Sequence, residues 1–237
     1  MKITATQAVL PFLLLLGGAA HAANLQPYVA NYEMRRSGDA LGDATFSLRQ
    51  TPTGWEFDQA TRGTHGMAAL ASADAKEQSE LTVAKGVLQL SSYHYRLSTL
   101  VTSKENSIVV DPAGNRIVIR DKKHEHDFPM QPGVLDQNSV TLAIAQDLAN
   151  GKRGTLSYPV ATRNNVEVQR FQVGKEETVQ VPAGAVRTVV VTRLRDTPNG
   201  RVTAYWFGLD NGFVPARIVQ NEPNGDSWEA SLVSLTH

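Results

Sequence analysis

The residues best suited to chemistry in this chain form one short run, His124-Glu125-His126-Asp127. If the run is a strand, alternation places the two histidines on one face and the two acids on the other. Two imidazoles at this spacing can supply two ligands to Zn or Cu, whereas a protein zinc site needs three or four. We therefore interpret the run as a solvated, charged strand end, with a metal site at His124 and His126 as the alternative.

Other reactive side chains have no partner that the sequence identifies. Tyr93-His94-Tyr95 puts two rings on one strand face and an imidazole on the other, which is typical of buried packing, with a proton shuttle as the alternative. His65 lies in an irregular segment. The chain lacks the glycine, serine and histidine patterns of common hydrolases and of phosphate-binding loops. We predict no catalytic residue and no cofactor, while a carboxylate pair assembled in space stays open.

The N-terminal residues have the form of an export signal. Lys2 precedes an apolar stretch from Val9 to Leu16, and the small-residue run Ala20-His21-Ala22 follows. The apolar stretch is too short to span a bilayer, and no second stretch is long enough. We therefore predict a signal peptide over residues 1–22, cleavage after Ala22, and a single mature domain over residues 23–237 in the periplasm, with no integral membrane segment after cleavage.

Composition narrows the choice of partners. Acidic and basic residues number 23 each, and no basic run is present, so we expect no nucleic-acid binding. Cysteine is absent, which excludes disulfides, thiol catalysis and the lipid-modified cysteine of bacterial lipoproteins. The fold must then be held by burial and backbone pairing.

Short alternating or β-branched apolar segments separated by Gly, Pro, Asn or Asp extend from Pro27 to the C-terminus. In the first, Tyr28, Ala30 and Tyr32 share one face of a strand. A dozen or so such strands cannot form one flat sheet, because strand twist makes a wide sheet curl or split. The pattern therefore predicts a mainly β protein, with a curved antiparallel sheet that forms a half-barrel or open barrel around one α-helix.

The helix is predicted between Leu135 and Asn150. Val140, Ile144 and Leu148 recur at four-residue spacing, and Asp136 or Asn138 can cap the start. We expect one side of this helix to be buried on the concave side of the sheet. The segment from Gly63 to Lys76 is predicted to be a connecting loop, with a short helix or a flap as alternatives.

Aromatic side chains fall on opposite faces of the predicted strands. Trp55 and Phe57 share one face, Tyr205 and Phe207 share another, Trp206 lies opposite these, and Trp228 is near the C-terminus. Rings on a concave sheet can line an apolar ligand cavity. The alternative is an ordinary core filled by its own side chains.

Several short motifs in one order resemble the DUF3108 family of exported bacterial proteins of uncharacterised function. These are Val181-Pro182-Ala183-Gly184-Ala185-Val186-Arg187-Thr188, Ala204-Tyr205-Trp206-Phe207, Gly212-Phe213-Val214-Pro215-Ala216-Arg217-Ile218-Val219, and Leu135-Asp136-Gln137-Asn138-Ser139 before the helix. The resemblance implies a fold similar in outline to the periplasmic lipoprotein carriers, in which a curved sheet wraps a helix and can shelter acyl chains. It implies no catalytic residues.

The leading hypothesis is a periplasmic, non-catalytic protein that binds a hydrophobic or lipid-like small molecule, or an envelope protein, with its half-barrel. The first alternative is an envelope structural or interaction protein with a filled core. The second is an envelope hydrolase, whose site could involve His124 and His126. A hollow concave side of the sheet would favour the leading hypothesis over the first alternative, and a filled one would favour the first alternative.

Overall fold

The computed structural model describes residues 25–84, 86–195 and 200–237, which form fifteen strands and two helices. The N-terminal half contains β1 (Tyr28–Arg36), β2 (Asp39–Thr51), β3 (Gly54–Gly63), α1 (Gly66–Leu70), β4 (Asp74–Ala84), β5 (Val87–Ser98), β6 (Ser103–Asp111), β7 (Arg116–Asp121) and β8 (Glu125–Pro129). The short strand β9 (Leu135–Asp136) and the helix α2 (Val140–Ala149) follow. The C-terminal half contains β10 (Thr155–Ala161), β11 (Val166–Val181), β12 (Gly184–Leu194), β13 (Val202–Gly208), β14 (Pro215–Asn221) and β15 (Ser227–Thr236).

All fifteen strands belong to one sheet, in which each half of the chain runs as a meander. The first strand, β1, pairs with the last, β15, so the two meanders join at the middle of the sheet and β8 and β9 lie at its edges. The sheet is therefore not closed into a barrel. The sheet curls far enough for its β9 edge to contact β5, where the Leu90 N–H donates to the Val134 carbonyl at 2.8 Å.

Side chains alternate between a concave face, which carries the core, and a convex face. Phe57, Phe171 and Phe207 are almost fully buried on the concave face. Removing one such ring from water stabilises the fold by roughly 1.5–3 kcal/mol. The mainly β, curved antiparallel architecture predicted from the sequence is confirmed.

Helix α2 lies inside the curve of the sheet. Seven of its ten residues are buried, including Thr141 and Ala145, so burial surrounds most of the helix and is wider than the predicted single side. Along the strand direction, the end of the sheet at which β1 ends and β2 begins is here called the upper end. Strand β9, just before the helix, lies at this upper end. Helix α2 runs from this upper end towards the opposite, lower end, where β10 begins.

The structure differs from the sequence prediction in local details. The sequence predicts two strands here, Val166 to Val173 and Glu177 to Val181, with a break at Gly174. Residues 166–181 instead form one strand, because a bulge between Val173 and Glu176 takes up the interruption. The segment after Gly63 contains α1, a single helical turn. Turns form as predicted at Asn164-Asn165, Asp210-Asn211-Gly212 and Pro223-Asn224-Gly225, whereas the turn predicted at Pro198-Asn199-Gly200 lies partly outside the described residues.

The predicted signal peptide and its cleavage site after Ala22 lie outside the described residues. Within the part of the chain that the structure describes, neither helix has the length and apolar character needed to cross a bilayer.

Candidate functional site

The two histidines of the predicted chemical run lie side by side at the β8 edge of the sheet. The rings of His124 and His126 are nearly parallel, with centroids 6.2 Å apart, and both side chains are exposed. His124 Nδ1 is 3.4 Å from an oxygen of Asp121. No group of three or more His, Cys, Asp or Glu side chains able to hold a metal occurs in the described ranges. The pair thus offers two of the ligands that a zinc site needs.

Tyr93, His94 and Tyr95 are separated by the sheet as their alternation predicts. Tyr93 is buried on the concave face, and its hydroxyl donates to Glu77 Oε2 at 2.7 Å. Burial and the adjacent Glu77 carboxylate raise the pKa of Tyr93 well above its usual range, so the phenol stays neutral. His94 is exposed on the convex face, so its imidazole takes no part in the contact between Tyr93 and Glu77.

A buried polar group, here called the cap cluster, holds the start of α2 against the sheet; it consists of Asp136, Asn138, Ser139 and Ser79. The Asp136 carboxylate accepts hydrogen bonds from the backbone N–H groups of Asn138 and Ser139 at 2.7 and 2.9 Å, and from the Ser139 hydroxyl at 2.7 Å. The Asn138 amide donates to the Phe57 carbonyl and to the Ser79 hydroxyl. Within the cap cluster, Asn138 Oδ1 is buried and has no hydrogen-bond partner. Asp136 therefore closes the turn before the helix, whereas the predicted helix cap at Asp136 or Asn138 is wrong, because the N-cap residue of α2 is Ser139 and no side chain caps it.

Glu77 and Asp136 form a pair of carboxyl groups that the sequence did not reveal. Burial raises the pKa of Asp136, and burial together with the Asp136 charge raises the pKa of Glu77, against the hydrogen bond from Tyr93. Asp136 is 0% exposed and therefore cannot reach a substrate. Glu77 borders a cavity of about 200 Å³. The pair positions α2, because its hydrogen bonds go to the segment before the helix and to the sheet.

Two further cavities lie on the concave face, one at each end of α2. The upper cavity measures about 310 Å³, and its walls combine apolar and aromatic residues with three glutamines and one glutamate: Met34, Phe46, Tyr205, Ile218, Ala230, Trp228, Gln59, Gln137, Gln220 and Glu229. Thr141 of α2 forms part of its floor. The lower cavity, of about 180 Å³, lies among Tyr28, Leu142 and Phe213. Ligand pockets in proteins usually measure 300 to about 1,000 Å³, and of these two cavities only the upper one reaches that range.

The largest depression, of about 780 Å³, is a groove on the convex face across β3 to β7. Its walls include the cross-strand row Asp58, Gln78, His94, Ser107 and Arg120. Charged side chains here pair with one another, as Arg96 does with Glu105 at 3.8 Å. Most of the residues that line this groove are ionisable, whereas Glu229 is the one charged residue that lines the upper cavity, so the upper cavity is the better candidate site for an apolar ligand.

Two arginines, here called the arginine pair, lie on the concave face near the upper end of β12. Arg193 and Arg195 follow Val189 and Val191 in the same alternation, and Arg193 faces the buried Phe171 across the sheet. The Nε atoms of both arginines are buried and have no hydrogen-bond partner. The nearby Thr203 Oγ1 is also buried and also has no hydrogen-bond partner. Burial lowers the pKa of Arg193, and burial with repulsion from Arg193 and Arg201 lowers that of Arg195.

The predicted aromatic faces are observed, and the rings divide between core and cavity. Phe57 packs edge-on against Phe46, with centroids 6.4 Å apart, and Phe207 is fully buried. Tyr205 and Trp228 instead line the upper cavity. Trp206 lies on the convex face, where its indole N–H donates to Glu177. Both interpretations of the aromatics therefore hold, each for different rings.

Sequence reasoning missed the arginine pair, although a signal was present. The side chains on one face of β12 and just after it are Val189, Val191, Arg193 and Arg195. This face changes from apolar to charged without a break in the alternation of the strand. Such inward-pointing charges are rare unless they are paired or functional. The change becomes visible only when the inward face is known from the pairing of the strands.

Comparison with known proteins supports the fold and assigns no activity. The sequence profile of DUF3108, described as a protein of unknown function, matches residues 29–233. A beta-barrel-like protein of the domain of unknown function DUF1849 from Brucella abortus is similar in structure, with a TM-score of 0.56 and 12% identity over 90% of this chain and 98% of that one. A candidate lipoprotein from Parabacteroides distasonis has a TM-score of 0.34 and 11% identity over 89% and 95% of the two chains. No curated protein matches the sequence.

Proposed function

The chain belongs to the DUF3108 family, and we propose that it is a periplasmic, non-catalytic protein that binds a hydrophobic molecule in the upper cavity. One observation carries the proposal. Helix α2 fills the middle of the concave face, while beside its first turn a cavity of about 310 Å³ remains between Phe46, Tyr205 and Trp228. A cavity with apolar and aromatic walls and a few polar groups is the usual form of a small-molecule site.

The walls of the upper cavity are built from elements that hold their positions without a ligand. Tyr205 and Ile218 lie opposite each other on the paired strands β13 and β14, and Ala230 continues the row on β15. Gln137 and Thr141 belong to the segment that the cap cluster holds. A preformed site loses little conformational entropy when it binds, which favours affinity.

The location and domain proposals rest on the sequence and on the single core. The export signal over residues 1–22 supports a periplasmic location. One hydrophobic cluster extends through both halves of the sheet and includes α2, which supports a single domain from residue 23 to residue 237.

Binding of the neutral fluorophore N-phenyl-1-naphthylamine tests the proposed site. We expect emission of the bound probe to saturate with the wild-type protein. Ile218→Trp, which places a large ring in the upper cavity, should weaken binding at least about tenfold by filling the space.

The matched control is Val219→Trp, because Val219 is the next residue of β14 and points to the convex face. This variant should bind the probe as the wild type does. An Ile218→Trp protein that keeps wild-type affinity, or a wild-type protein that binds no probe, would overturn the proposal.

A second candidate function, interaction with an envelope protein, is favoured by an exposed apolar patch at the upper end. The rim patch consists of Met67, Leu70, Leu100 and Val101, whose exposed fractions are 77%, 71%, 72% and 92%. The Leu100 N–H donates to the Ala71 carbonyl at 3.0 Å and joins the two loops that carry the patch. Clustered exposed apolar side chains often mark a surface that contacts a partner.

Chemical crosslinking in the host cell tests this second function. The double variant Met67→Ser with Val101→Ser should lose a crosslinked species that the wild type forms, because its partner contact is apolar. Val168→Ser is the control, since Val168 is 65% exposed and lies on β11, away from the patch. A species that persists in the double variant would exclude the rim patch as the contact surface.

A further inference from the structure

The arginine pair carries positive charge that the described residues do not neutralise. Arg193 Nη2 lies 2.9 Å from Glu167 Oε1, and Arg201 Nε lies 2.7 Å from Glu222 Oε1. Arg195 has no hydrogen bond or ion pair within the described part of the chain. Three guanidinium groups therefore face two carboxylates, which leaves one positive charge in excess.

The excess charge lies on a side chain that is partly shielded from water. The Arg193 side chain is only 14% exposed, and the Nε atoms of Arg193 and Arg195 are both buried without an acceptor. Buried polar atoms are nearly always hydrogen-bonded in folded proteins, and buried cations nearly always have a partner. A buried donor with no acceptor among the described residues is a candidate to bind an acceptor from outside the chain.

The pair adjoins the upper cavity on its upper side. Val191 pairs with Tyr205 and Thr192 with Ala204, so continued register places Arg193 beside Thr203. Tyr205 lines the cavity, and its phenol interacts electrostatically with both arginines. The unpartnered Thr203 Oγ1 lies in the same row. The arginine pair thus lies next to Tyr205 on the same face of the sheet, just beyond the wall of the upper cavity.

We infer that the bound molecule is an anionic amphiphile, whose apolar chain occupies the upper cavity and whose carboxylate or phosphate group binds Arg193 and Arg195. This inference rests on the proposed function. A guanidinium presents N–H donors in a planar fork that matches the oxygens of both anions, and charge-assisted bonds of this kind are among the strongest in proteins. Thr203 Oγ1 and the neutral Tyr205 phenol supply further donors beside the fork.

Displacement of N-phenyl-1-naphthylamine by two ligands of equal chain length tests the inference. Dodecanoate carries the anion, and dodecan-1-ol has the same chain without charge. Dodecanoate should displace the probe from the wild type at a concentration at least about tenfold lower than dodecan-1-ol does, because it gains a charge-assisted contact.

Arg195→Gln should remove this preference by weakening dodecanoate at least about tenfold and leaving dodecan-1-ol unchanged. The control is Arg170→Gln, which removes an exposed guanidinium from the convex face of β11 and should keep the wild-type preference. Far-ultraviolet circular dichroism and binding of the neutral probe show that both variants are folded.

The outcomes separate this inference from the function on which it rests. Equal displacement by the two ligands from the wild type, with probe binding intact, would overturn the anionic inference and leave the apolar site standing. Absence of probe binding would overturn the proposed function and the inference with it.

Inorganic phosphate, titrated alone by calorimetry, should bind far more weakly than dodecanoate. Phosphate binding as tight as dodecanoate binding would show that the arginine pair binds free anions, and it would overturn the inference that the ligand is an amphiphile.

Discussion

The cap cluster and the arginine pair are both buried polar groups on the concave face, yet they are supplied with partners in opposite ways. Asp136 is a buried carboxyl group that accepts three hydrogen bonds from its own segment. Arg195 has a buried Nε with no acceptor among the described residues. A buried ion that the chain itself satisfies holds structure together, whereas one left unsatisfied costs stability and is kept for another reason.

The cap cluster and the arginine pair also differ in the elements that they join. The cap cluster joins α2 to β3 and β4 through Asn138. The arginine pair joins no two elements tightly, because among the described residues its ion pair is that of Arg193 with the partly exposed Glu167. The first region should therefore respond to mutation mainly in stability and the second mainly in binding.

Replacing Asp136 with alanine should give the largest effect. Asp136→Ala leaves two backbone N–H groups and the Ser139 hydroxyl without an acceptor in a buried place, and we expect the free energy of unfolding to fall by about 3 kcal/mol. Urea denaturation followed by circular dichroism measures the change. Asp136→Asn, which keeps one acceptor oxygen, should lose less. A loss below about 1 kcal/mol for the alanine variant would contradict the assigned role of the cluster.

Replacing Arg195 with methionine should act in the opposite direction. Arg195→Met removes a partly buried charge without a partner and keeps the apolar length of the side chain, so the free energy of unfolding should stay the same or rise by about 1 kcal/mol. The same denaturation experiment measures it. A substantial loss of stability would show that Arg195 has a structural partner and would erase the difference between the two regions.

The pH dependence of stability should give the smallest effect and should trace to the cap cluster. Burial raises the folded-state pKa of Asp136, so its contribution to stability is fully present below the unfolded pKa and is lost as pH rises through the folded pKa. Relative to Asp136→Asn, the wild type should therefore be most stable near pH ~4 and should lose this advantage as pH rises. Denaturation of both proteins across this range tests the sign. A wild-type advantage that grows with pH would show that the hydrogen bonds to Asp136 outweigh its burial.

Most of the fold could be predicted from the sequence, because period-two alternation and turn residues are local signals. Tyr28, Ala30 and Tyr32 share the buried face that their spacing predicts. The helix was predicted from Val140, Ile144 and Leu148, and all three are buried. The break predicted near Gly174 was wrong because a bulge between Val173 and Glu176 keeps the pairing of β11 and β12 continuous.

The candidate site could be predicted only in part. Tyr205 and Trp228 were among the rings that could line a cavity, and they do. His124 and His126, the residues that stood out first, lie exposed at a sheet edge far along the strand order from β12 and β13. Glu77, Asp136 and the arginine pair come from separate parts of the chain, and only the pairing of strands shows which of them face the interior.

What the sequence determined by itself is the mainly β meander, the position of the helix and the absence of cysteine-based cross-links, because each depends on neighbours within a few residues along the chain. The tertiary structure alone decided which face of each strand is concave, how much of that face α2 fills, and which buried ions find partners. Those properties depend on contacts between segments far apart in the chain, such as that of Asn138 with Ser79, and such contacts arise only when the sheet curls around the helix.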